Sequence, residues 1–92
     1  MRTIYYVDSR INVQKLIAKK IKQSAKNVAK YNHYLDNSKR QKMINKWERY
    51  LKHERLVLLN LTQCEEWLNT KAPFKVTVTI NKGLFELNYP LS

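Results

Sequence analysis

From Ser9 to Leu35 the chain carries seven cations, Arg10, Lys15, Lys19, Lys20, Lys22, Lys26 and Lys30, and no carboxylate. At about 100° per residue, Val13, Ile17, Ile21, Ala25, Val28, Tyr31 and Leu35 gather on one side of a helix, while Lys15, Lys19, Lys22, Lys26 and Lys30 fall almost opposite. This periodicity commits close to a third of the chain to one amphipathic rod. It also sets an electrostatic puzzle. A solvated helix face ordinarily interleaves acids with bases, because each i,i+4 pair gives a few tenths of a kcal/mol and like charges cost about as much. Here the repulsion stands uncompensated, and an anionic partner is the simplest reason for it.

The rest of the chain fits around that rod. Thr3 to Val7, Thr-Ile-Tyr-Tyr-Val, is a β-branched and aromatic run that predicts a strand. Asp8, Ser9 or Asn12 is placed to cap a first helix over residues 10 to 35, with Asp36-Asn37 ending it through an Asn able to adopt the left-handed conformation. Ser38-Lys39-Arg40-Gln41 matches a capping box and predicts the start of a second helix. No breaker follows before Asn69 or Thr70. Met43, Trp47, Tyr50, Glu54, Val57, Leu61, Cys64 and Leu68 recur at four-and-three spacing, flanked by Ile44, Leu51 and Leu58, so this seam is expected to face the first helix in an antiparallel hairpin. Leu56 and Leu59 point off the seam, which predicts a second cover on that side.

The cover is expected from the C-terminal segment. Phe74, Val76, Val78 and Ile80 alternate with Lys75, Thr77, Thr79 and Asn81. A turn at Asn81-Lys82-Gly83 uses the only glycine where a positive φ is wanted, and Phe85, Leu87 and Tyr89 resume the alternation. A two-stranded hairpin is marginal alone, so the Thr3–Val7 strand is expected to complete the sheet. The predicted fold is α+β: a long antiparallel helical hairpin packed against a small antiparallel sheet, in the order β-α-α-β-β, as a single domain over residues 1 to 92.

Composition bears on partners and chemistry. The net charge of +11 is concentrated in residues 1 to 46, which hold twelve Lys or Arg against Asp8 and Asp36. Nucleic acid is the commonest polyanion a basic protein meets. The expected contacts are Lys15, Lys19, Lys22, Lys26 and Lys30 along the rod, with Lys39, Arg40, Lys42 and Lys46 around the interhelical turn. In that turn Lys39, Arg40 and Lys42 oppose the positive end of the second helix dipole at about 0.3–1 kcal/mol each. Tyr34, at the edge of the rod, is placed to stack on an unpaired base. The antiparallel turn is unlike a helix-turn-helix, so the expected recognition is of phosphates on DNA or RNA with limited sequence specificity. A protein partner is the alternative: an accessory or inhibitory factor of the phage or mobile-element kind, docking on a nucleic-acid-handling protein.

Other functions find little support. Cys64 is the only cysteine, so neither an internal disulfide nor a thiolate metal site can be built, and a reducing cytoplasm is the expected setting. His33 and His53 lack neighbours at ligand spacing, so no metal or cofactor is implied. Glu54, alone on an apolar seam, calls for a partner such as Arg10, Lys20 or a tyrosine hydroxyl. No phosphate loop, nucleophile elbow or paired-carboxylate motif is present, which predicts a non-enzymatic protein. Met1 to Asp8 has no apolar stretch suited to a leader, and the apolar side of the rod is needed for the core, which argues against membrane binding.

Overall fold

The computed structural model describes residues 3–90. Met1 and Arg2, at the head of the predicted leaderless segment, lie outside them, as do Leu91 and Ser92. The elements are β1 (Ile4–Ser9), α1 (Arg10–Asp36), α2 (Gln41–Lys71), β2 (Lys75–Asn81) and β3 (Leu84–Asn88), with antiparallel sheet order β1-β2-β3. The helical hairpin packed on a three-stranded sheet, in the predicted element order, is the architecture observed.

β1 runs into α1 without a loop. Ser9 is both the last residue of the strand and the helix cap, its hydroxyl accepting from Asn12 N at 3.3 Å. At the far end of α2, Ala72 takes the left-handed conformation at φ 43°, and the next residue is Pro73, which cannot continue a helix. The β2–β3 turn is a two-residue one in which both Lys82 (φ 55°) and Gly83 (φ 79°) are left-handed, as a primed hairpin turn requires.

The core lies at one end of the molecule. Val13 and Ile17 of α1, Leu61, Cys64 and Leu68 of α2, and Val76, Val78 and Phe85 of the sheet are buried together. Each such aliphatic side chain contributes about 1.5–3 kcal/mol on burial. β3 is fastened to α2 by Asn60, whose Nδ2 donates to the Phe85 carbonyl at 2.9 Å and whose Oδ1 accepts from the Phe85 N–H at 2.7 Å. Beyond this end the two helices continue as an arm that the sheet does not reach, which gives the molecule its 54 × 25 × 15 Å outline.

Several local expectations are corrected. The sheet lies in the groove between the helices, over the same seam that joins them, and not on the far side of α2. Leu56 and Leu59 are therefore 51% and 56% exposed. Phe74 precedes β2 and is almost fully exposed, and Tyr89, just past β3, rests on Trp67 with centroids 5.4 Å apart. On α1, Ser24 occupies the inward position and Ala25 is exposed. The Ser24 hydroxyl donates to the Glu54 carbonyl at 3.4 Å, where the helices approach. Tyr5 faces out and Tyr6 in, where burial and, second, the Asp8 carboxylate raise the Tyr6 phenol above its ordinary pKa.

Candidate nucleic-acid interface

The cap at Ser9 sets the phase of α1, and the buried Val13, Ile17 and Ser24 turn that face toward α2 and the sheet. Lys15, Lys19, Lys22, Lys26 and Lys30 are consequently exposed along the opposite side. At 1.5 Å per residue they extend over roughly 22 Å. With Ala18 and Gln23, four of them line a shallow open depression. The carboxylates that accept hydrogen bonds take them from amides: Asp8 from Ser9 N and Asn12, Glu54 from Asn27, and Glu86 from Asn88.

The hairpin tip is built differently from the capping-box expectation. The Ser38 hydroxyl donates to the Tyr34 carbonyl at 2.6 Å, and Asn37 Nδ2 donates to the His33 carbonyl at 2.8 Å, so both side chains serve the C-terminal carbonyls of α1. Asn37 itself is right-handed at φ −96°. α2 begins at Gln41 after Arg40, which makes no side-chain capping bond, and its first turn holds no acid. Gln41 turns instead to Asn45. Lys39, Arg40 and Lys42 are exposed around this uncapped start.

Behind the tip lies an aromatic cluster that heptad spacing assigns to a core. Trp47 stacks on Tyr31 at 6.0 Å and meets Tyr34 at 4.8 Å and Tyr50 at 5.7 Å, yet Tyr50 is 43% and Tyr34 39% exposed. With only two helices in the arm there is no third layer to bury these rings. Tyr34 is thus exposed as expected, but part of its ring surface is held against Trp47. Lys46 is half-buried, its Nζ 4.9 Å from the Trp47 centroid and 5.9 Å from that of Tyr50. Lys30 Nζ sits 5.6 Å from the Tyr31 centroid. These ammonium groups give the rings cationic neighbours. The structure therefore groups the α1 lysines on one face and Lys39, Arg40 and Lys42 at the tip, and turns Lys46 inward onto the rings.

Glu54 is corrected as well. Its partner is Asn27, at 3.2 Å, and not a cation or a tyrosine. Lys20 and His53 line the same crevice, at the junction of arm and sheet, beside Ile4, Val57 and Ile80. Cys64 is buried, with its thiol pushed up to about 11 by desolvation and its Sγ 3.6 Å from the Phe85 carbonyl. Among the described residues no three His, Cys, Asp or Glu side chains gather as a metal site, and no helix is long and apolar enough to cross a membrane. Compared with protein-family models, with curated proteins and with solved structures, the chain matches none of them.

Proposed function

We propose that this protein binds nucleic acid without catalysing a reaction, through the outer face of α1 and the hairpin tip, mainly by contacts to phosphate. The observation that carries the reading is the exposed row Lys15, Lys19, Lys22, Lys26 and Lys30 on the side of α1 turned from the core. Ammonium groups spaced along a straight helix follow a phosphate backbone and release its counterions, the term that dominates sequence-independent affinity. Lys39, Arg40 and Lys42 extend the positive surface around the uncapped start of α2, where free N–H groups and the dipole also favour anions. Tyr34 and Tyr50, partly exposed among cations, offer ring surface to unpaired bases.

Titration against single- and double-stranded DNA and RNA at several salt concentrations tests the reading. With about five phosphates neutralised, log K against log salt has a slope near −4 to −5 on duplex DNA. A slope close to zero overturns the proposal. The triple variant K19E/K22E/K26E loses binding while keeping its helical CD signal, because all three side chains are exposed. A second reading, docking on a nucleic-acid-handling protein, draws support from the exposed Leu56 and Leu59 on the back of α2. An interaction with such a protein that survives nuclease treatment and is lost in L56S/L59S favours it over the first.

A further inference from the structure

The two edges of the sheet are treated differently by the fold. In β2 and β3 the two-residue turn makes Asn81 and Leu84 a hydrogen-bonded pair, so the next pair, Ile80 and Phe85, directs its backbone groups outward. On the β3 side those Phe85 groups are taken by Asn60 of α2. By the same alternation, the even-numbered residues of β1 bond to β2, opposite Ile80, Val78 and Val76. The bond from Arg10 N to the Phe74 carbonyl, at 3.2 Å, continues that phase one step beyond the ladder. The N–H and C=O groups of Tyr5 and Val7 therefore point away from the sheet. Ser9 N, next in that phase, is already bonded to the Asp8 carboxylate at 2.7 Å.

This leaves an open edge of defined length: two N–H and two C=O groups, on Tyr5 and Val7. Few of the devices that usually protect an edge strand are found among its described residues. From Thr3 to Ser9 there is no lysine, arginine or proline, and Asp8 is the only charge. Ile4, Tyr5 and Val7 are 51%, 64% and 49% exposed.

We propose that this edge is a homodimer interface, at which a second copy of the chain adds its own β1 antiparallel across a two-fold axis to make a six-stranded sheet. With Tyr6 on the axis, Tyr5 lies opposite the partner's Val7 and Val7 opposite the partner's Tyr5. All four free groups of each copy are then paired. Two aromatic-to-β-branched contacts form on the outer face, and Asp8 lies opposite Ile4 rather than its own copy. An arbitrary strand would match the backbone groups, but the two-fold copy also places a β-branched valine opposite each exposed Tyr5. Between Arg2 and Arg10 the stretch itself carries no cation in a chain of net charge +11, so the paired residues Ile4 to Asp8 bring no positive charges together.

The proposal is independent of nucleic-acid binding, and salt separates the two. Screening weakens phosphate contacts and strengthens association of like-charged copies. The test is sedimentation equilibrium on the purified, nucleic-acid-free protein in about 0.5 M salt, up to about 1 mM protein, together with amide exchange by NMR. A dimer is expected, with protection of the Tyr5 and Val7 amides rising with concentration, while the Tyr6 and Asp8 amides are protected by β2 throughout. Val7→Pro removes an edge donor and no bond within the sheet, and Val7→Lys puts a charge on the edge. Each is expected to weaken association at least tenfold, roughly the loss of one or two hydrogen bonds, with the CD spectrum unchanged. If Val7→Pro fails to fold, Val7→Lys and the exchange data decide. A protein that stays monomeric over that range overturns the proposal, as does a dimer that forms with the Tyr5 and Val7 amides still exchanging freely.

Discussion

Single side chains set the boundaries of this fold, and the consequences are measurable. Asn60 stands in for a fourth strand at Phe85, so Asn60→Leu leaves the Phe85 N–H without a partner and its C=O with only the weak Cys64 thiol donor, and urea unfolding is expected to register a loss of about 1–3 kcal/mol. Ala72 holds a left-handed conformation that costs an L-residue about 1–2 kcal/mol, so Ala72→Gly is expected to stabilise the protein by about 0.5–1 kcal/mol and to raise its Tm. Cys64 gives a pH dependence. Its folded-state pKa, pushed up to about 11, lies above that of an unfolded thiol, so the unfolded chain releases its proton first. The thiol's contribution to stability is complete below that unfolded pKa and is lost as pH rises through it toward about 11. Denaturant midpoints measured across that window should fall in the wild type, and less so in Cys64→Ala. Of these residues, only the buried Cys64 is legible in sequence. Asn60 and Ala72 act through backbone groups whose direction depends on where the sheet docks. Ser38 shows the same limit: its spacing to Gln41 reads as a capping box, but the carbonyls left open at the end of α1 are closer to hand.

At the scale of elements, periodicity carried most of the information. Both helices, the hairpin between them and the alternation in β2 and β3 follow from repeats of 3.6 and 2 residues. The docking of the sheet does not. Leu56 and Leu59 read as a second buried face because an apolar pair at i and i+3 ordinarily has a cover, and nothing in the spacing says the cover is absent. One hint was available in the lengths. Strands of 5–7 residues reach about 17–23 Å, whereas helices of 27 and 31 residues reach about 40–46 Å, so the sheet cannot roof the whole hairpin. The aromatic residues behind the tip are partly exposed for that reason. The arm, held by Ser24, Glu54 and the Trp47 cluster, is expected to open at lower free energy than the sheet-covered end. Native-state amide exchange should show faster exchange through residues 28–50 than in α2 around Leu61 and Leu68. Trp47→Ala is expected to accelerate exchange in the arm while leaving the β2 amides protected.

For the molecule as a whole, charge and shape pull in different directions. A chain of 92 residues with net charge +11 repels itself, so its Tm is expected to rise between about 0.01 and 0.3 M salt as the screening length shortens. The same change is expected to weaken the proposed contacts to nucleic acid. Scanning calorimetry and binding titration across one salt series thus report opposite trends from one charge distribution. The location of that charge was visible in the sequence, since the uncompensated lysines lie opposite an apolar stripe and no folded state can bury both. Lys46 departs from the pattern because its side chain lies along rings that the wheel alone does not orient.

Between the sheet-covered end and the aromatic tip, the two helices touch only each other. Because a heptad is close to two helical turns, inserting seven residues into each helix between those points would carry the tip outward by about 10 Å while preserving the register on both sides. How far the protein reaches is thus a separate variable from how it is anchored.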